Sequence, residues 1–145
     1  MLALVVPAAL VTLAGCGEER PVEAGNPSTP RPETRLVVRV QPAPGEQPKE
    51  WTLTCRPAGG THPAPEAACE ALHNAADPFK PVPPDAICTQ IYGGPQTATI
   101  EGVWRGEQIR ATYSRENGCE IHRWETIKAV LQPHDVPSST PPDEQ

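Results

Sequence analysis

The sequence predicts an α+β fold: one antiparallel sheet of about five strands, with helix laid across a sheet face and two disulfides as staples. Three observations support it. Apolar residues alternate with polar ones in several short runs, as half-buried strands require. The segment Pro65 to Ala75 joins a proline at a helix-opening position to an early acid and good helix formers, so it should be a helix. The chain of 145 residues also holds five cysteines and 20 prolines but only six aromatic residues, the composition of a small, loop-rich domain that needs covalent support.

Met1 to Ala14 form an uncharged apolar run too short to span a bilayer, which reads as an export signal rather than a membrane helix. Its end, Leu13-Ala14-Gly15-Cys16, resembles the lipobox of bacterial lipoproteins, in which the cysteine is lipidated and becomes the first mature residue. The organisation expected is therefore residues 1–16 as signal with lipobox, 17–33 as a flexible tether, 34–132 as the folded domain and 133–145 as a disordered C-terminal tail. Leu36, Val38 and Val40 share one face of a first strand, and Trp51, Leu53 and Cys55 one face of a second. Pro42, Pro44, Gly45 and Pro48 punctuate the link between them. The helix that follows should turn Ala68, Cys69 and Leu72 inward. Ala98, Ile100 and Trp104 alternate before Arg105-Gly106, and Ile109, Ala111 and Tyr113 alternate after it, the clearest hairpin in the chain. A last alternation, Ile127, Ala129 and Leu131, predicts a fifth strand ending before Pro133.

Reserving Cys16 for lipid leaves Cys55, Cys69, Cys88 and Cys119, enough for two disulfides in an oxidising compartment. Four cysteines permit three connectivities, and the sequence does not choose among them. Pairing in order of appearance would close two short loops, each stabilising the fold by about 3 to 4 kcal/mol in the chain-entropy model. The formal charge of −6 has acids and bases interspersed, so no basic stripe is present to neutralise phosphates and nucleic acid is not an expected partner.

Enzyme chemistry finds little to work with. Ser28, Ser138 and Ser139 lie in the expected tails and Ser114 in a strand, with no G-x-S-x-G elbow. The cysteines of an exported chain are better used as disulfides than as nucleophiles. His62, His73, His122 and His134 show no H-E-x-x-H spacing and no C-x-x-C accompanies them, so neither a metal nor another cofactor is expected. His62 and His122 read as polar caps or surface residues, and Trp51, Trp104 and Trp124 as core or sheet-surface packing. One stretch is harder to place: Ile87-Cys88-Thr89-Gln90-Ile91-Tyr92-Gly93-Gly94 follows the stiff KPVPPDA, sets polar residues where a core strand would be apolar, and ends in Gly-Gly-Pro. It reads equally as an edge strand with a loose end or as an extended loop pinned at one end.

CRPAGGTHPAPEAACEAL, DAICTQIYGGPQTATIEGVWRG and YSRENGCEIHRW, in this order, resemble the Streptomyces subtilisin inhibitor family of secreted actinobacterial serine protease inhibitors. The resemblance covers Thr34 to Gln132. It implies a five-stranded antiparallel sheet with two helices, the second near Glu120 to Trp124, so that one or two helices cover the sheet. Disulfides Cys55 to Cys69 and Cys88 to Cys119 are implied too, and usually a homodimer. In that family the loop after the third domain cysteine is the reactive site. Carried over position by position, Ile87 is P4, Cys88 P3, Thr89 P2, Gln90 P1, Ile91 P1′ and Tyr92 P2′, with Gln90–Ile91 the scissile bond. Asn117 is expected to support the loop backbone from behind, and the implied partner is a subtilisin-like serine protease.

Two departures refine this expectation. Family P1 residues are commonly Met, Lys or Arg, so Gln90 points away from trypsin-like targets and toward the subtilisin class. Gly93-Gly94 replaces a more substituted segment and is expected to loosen the primed side. A lipid at Cys16 would hold the domain outside the cell, on the outer face of the cytoplasmic membrane. The alternative is a non-inhibitory cell-envelope binding lipoprotein on the same fold, using its sheet or hairpin.

Overall fold

The computed structural model describes residues 33–135. Export signal, lipidation at Cys16, tether and the tail beyond Asp135 lie outside the described residues.

A single antiparallel sheet is formed by β1 (Thr34–Gln41), β2 (Lys49–Cys55), β3 (Gly59–Gly60), β4 (Thr97–Trp104) and β5 (Glu107–Tyr113), in the order β3-β2-β1-β4-β5. Three helices follow the same chain: α1 (Pro65–Asn74), α2 (Gly118–Thr126) and α3 (Lys128–Leu131), with a 3₁₀ turn at Pro133–Asp135. The first strand is the hub, because Val38 lies opposite Trp51 of β2 on one side and Ile100 of β4 on the other. A one-residue slip would turn Leu36, Val38 and Val40 to water, so burial fixes both registers at once.

The core lies on one face of the sheet. Leu36, Val38, Leu53 and Ile100 are fully buried there, under Ala68 and Leu72 of α1 and under Trp124, Ile127, Val130 and Leu131. Trp104 and Tyr113 close one flank, and Trp51 packs half-buried at the other. On the opposite face Arg39 pairs with Glu50, and Arg110 meets Glu101 at 3.0 Å. Exposed pairs of this kind contribute little stability, but they leave the open face polar. The β4–β5 hairpin turns through Arg105 and Gly106, both in the left-handed region at φ 50° and 86°, the two-residue turn that suits the twist of antiparallel strands.

Three expectations are corrected. Ile127 to Leu131 is not the fifth strand: Lys128–Leu131 is helical, and Ile127, Val130 and Leu131 face the core together at helical spacing. The fifth strand is instead β3, a glycine pair joined to Leu53 and Thr54. The folded chain also runs past Gln132, since Pro133 is buried within the 3₁₀ turn. The helix on Pro65 ends at Asn74, one residue before the expected limit, with Ala68, Cys69 and Leu72 buried as its pattern required.

Disulfides join Cys55 to Cys69 and Cys88 to Cys119, with Cα separations of 5.8 and 5.4 Å. The first ties β2 to α1, and the second ties the irregular segment before β4 to α2. Among the described residues no helix is long and apolar enough to cross a membrane.

Candidate functional site

Between α1 and β4 the chain is irregular over residues 75–96, a length that in a compact domain marks a functional loop. Local bonds give it shape. Lys80 N–H donates to Asp77 O at 3.2 Å and Ala86 N–H to Pro83 O at 3.0 Å, while the Tyr113 hydroxyl reaches Pro78 O at 2.7 Å. The stiff KPVPPDA stretch then delivers the chain to Ile87.

Ile87, Ile91 and Tyr92 are 101%, 56% and 69% exposed, the largest apolar side chains that the described residues turn outward. Thr89 and Gln90 are exposed between them, and the Gln90 amide donates to Cys88 O at 3.2 Å. Residues 87–93 join no sheet ladder, so of the two sequence readings the pinned loop is the one the structure adopts. The pins are on both sides. Cys88 is bonded to Cys119, Gly118 N–H donates to Thr89 O at 2.9 Å, and Gly93 N–H donates to Arg115 O at 2.7 Å.

Asn117 stands beside this contact but has another partner. With extended backbone, its Oδ1 accepts from Glu120 N–H at 3.1 Å and caps α2, satisfying a donor that a helix start leaves free. The loop is met by its neighbours, Arg115 and Gly118, which the sequence reading missed. Their contacts are through the backbone, and the Asn117-Gly118 pair reads simply as a turn.

The expected loosening at Gly93 also finds a different geometry. A Cβ on Gly93 would stand 2.8 and 2.9 Å from Cγ1 and Cδ1 of Ile121 and 3.3 Å from Cβ of Arg115. The glycine thus lets the end of the loop lie against α2 with the Gly93 N–H bonded. Gly94, at φ 132°, needs its missing side chain for the backbone turn that follows. Beside residues 86–89 lies a groove of about 530 Å³, lined among others by Lys80, Val82, Ile87, His122 and Arg123.

The histidines are apart from one another in role. His62 is buried, accepting from Ala64 N–H at Nδ1 and facing Val130 O at 3.0 Å through Nε2, so its neutral form carries the proton on Nε2 and joins the α1 approach to α3. Of the two expectations, polar cap or surface residue, the first fits: His62 is buried and accepts from the backbone at the start of α1. Burial holds its pKa below the usual 6.5. His73 packs on Trp104 and takes the Arg105 guanidinium at Nδ1, and its pKa is lowered by burial first and then by Arg105 and Arg56. His122 and His134 are exposed. Burial likewise pushes the Tyr113 hydroxyl above its ordinary pKa, consistent with its donating role. No three His, Cys, Asp or Glu side chains gather into a metal-holding group among the described residues.

A sheet backed by helices, with a disulfide holding an outward loop to one of them, defines a loop-displaying scaffold. The chain belongs to the subtilisin inhibitor-like family, whose model matches residues 33–117. Subtilisin inhibitor-like protein 1 of Streptomyces cacaoi is 34% identical over 99 residues, covering 63% of this chain and 89% of its own. Kexstatin-1 of Streptomyces platensis is 34% identical over 94 residues, covering 62% of this chain and 59% of its own. A solved complex, Streptomyces caespitosus sermetstatin with Bacillus licheniformis subtilisin, contains a chain 27% identical to this one with a TM-score of 0.41, covering 66% of this chain and 93% of that chain.

Proposed function

We propose that the chain inhibits subtilisin-like serine proteases by presenting Ile87 to Tyr92 as a substrate-like segment with Gln90–Ile91 in the position of the bond to be cut. The observation that supports this most is the loop itself: a fully exposed Ile87, followed by exposed Gln90 and Ile91 between backbone anchors at Thr89 and Gly93. A protease takes such a segment by adding it as a strand and reading side chains in its pockets. Ile87 would fill an apolar S4 pocket and Gln90 would enter S1. Because the loop is already ordered, little conformational freedom is lost on binding, which favours high affinity from an interface of ordinary size.

Relatives such as subtilisin inhibitor-like protein 1 carry the word inhibitor in their names, and the same assignment makes this chain a binder of the protease and not an enzyme. The binding-lipoprotein alternative draws no support from them. Titration of subtilisin with the chain tests the proposal. Activity should fall stoichiometrically while the chain stays intact or is cut slowly at Gln90–Ile91; rapid cutting with activity preserved would make the loop an ordinary substrate.

The export signal and lipidation at Cys16 belong to the same proposal, placing the inhibitor on the outer face of the cytoplasmic membrane. Cys16→Ala should then release it from the membrane fraction; unchanged fractionation would remove the anchor. Self-association into a homodimer is proposed on the family pattern and is read from sedimentation as a doubling of mass.

A further inference from the structure

The bond Gln90–Ile91 lies between two backbone hydrogen bonds made to one short segment. Thr89 O, one residue before Gln90, accepts from Gly118 N–H at 2.9 Å. Gly93 N–H, two residues after Ile91, donates to Arg115 O at 2.7 Å. We infer that residues 115–118 act as a splint that grips the chain on both sides of the bond, with Gly93 and Gly118 as the positioning residues that let the grip close. This rests on reading Gln90–Ile91 as the bond presented to the protease.

The splint is itself braced. Arg115 sits over the Trp124 ring at 5.9 Å and 3.4 Å from a Glu125 carboxylate oxygen, and Trp124 is fully buried. Asn117 fixes the start of α2, and Cys119 is covalently joined to Cys88. A Cβ at either glycine would have to displace a neighbouring side chain. A Cβ on Gly118 would fall on the Thr89 hydroxyl, and one on Gly93 would collide with Ile121. The side chains that exclude a methyl group at these positions are the loop's own Thr89 and α2's Ile121.

The two sides need this grip unequally. When a protease serine attacks Gln90, its oxygen bonds to the carbonyl carbon, the bond to Ile91 nitrogen breaks, and the serine proton passes to that nitrogen. Religation reverses the step: the Ile91 amine attacks the ester, the serine oxygen leaves and the proton returns to it. The Gln90 end stays close through Cys88–Cys119. The Ile91 end has no such covalent tie, and without Gly93 the chain is free back to Thr97, a reach of roughly 20 Å. Holding Gly93 keeps the amine at high effective concentration beside the ester and favours religation over attack by water.

The test uses the full chain, subtilisin, and mass spectrometry of the product cut between Gln90 and Ile91. Gly118→Pro removes the N–H donated to Thr89 and also sets a Cβ against the Thr89 hydroxyl, so it disturbs the grip twice over, while proline suits the first helical position after the extended Asn117. Gly93→Ala leaves every backbone donor in place but brings its methyl against Ile121, and adding Ile121→Ala removes the colliding atoms. Each single variant should keep its melting temperature near that of the parent and be cut at least about tenfold faster, as lost effective concentration implies. The Gly93→Ala, Ile121→Ala pair should return toward the parent rate, which a general loss of stability would not do. If the parent inhibits and folded Gly93→Ala is cut no faster, the splint is overturned and the inhibitor stands. If the parent does not inhibit, the assignment of the bond fails and the splint with it. Should Gly118→Pro not fold, Gly93→Ala and its rescue decide.

Discussion

With the loop presented as proposed, selectivity would turn on Gln90. Its amide is uncharged and exposed, and a trypsin-like pocket built for a cation would leave its buried carboxylate unpaired, a cost of about 1 to 3 kcal/mol or more. Gln90→Lys should therefore extend inhibition to trypsin-like proteases by tenfold or more, with subtilisin inhibition changed less; inhibition constants against both enzymes check this. His62 governs a different property. Its pKa is lowered in the fold by burial, so the unfolded chain takes up a proton that the folded chain resists. The stability conferred by neutral His62 is complete above about pH 6.5 and is lost as pH falls below that value toward the folded pKa. Melting temperature should drop from pH 7.5 to pH 5, and the slope should be shallower in His62→Gln; equal slopes would place the proton uptake elsewhere. At this scale the exposed loop residues were legible, because Thr89 and Gln90 have no reason to be polar inside a strand. The burial of His62 was not, since its two partners are backbone groups, one of them on a helix 68 residues away.

Elements carrying a full period were read correctly. Eight residues of β1 show the alternation four times over, and Ala68, Cys69 and Leu72 identify the buried face of α1. The five residues Ile127 to Leu131 are too few to separate a period of two from one of 3.6, and Ile and Leu at their ends satisfy both. Trp124, three residues before Ile127, continues the helical pattern and is the signal that would have decided it. Strand β3 is two glycines, which have no side-chain pattern to read. The start of α2 supports a prediction of its own. Asn117→Ala removes the cap on Glu120 N–H and should cost about 1 kcal/mol in urea unfolding. Faster loop cutting with unchanged stability would instead return Asn117 to the role of direct loop support.

Across the whole molecule, the sheet has two poles. Strand β1 begins at Thr34, where Gly106 N–H reaches Glu33 O at the hairpin turn, and ends at Gln41 opposite Thr97. The displayed loop leads into Thr97 and is held by residues just after Tyr113, at the Gln41 end. Eight residues of strand separate the poles by roughly 25 Å. The chain therefore enters the domain at its foot and offers its loop at its head. Were the N-terminal side fastened to a bilayer, the same mast would stand the loop away from the lipid, so that anchoring and protease capture need not compete for one surface.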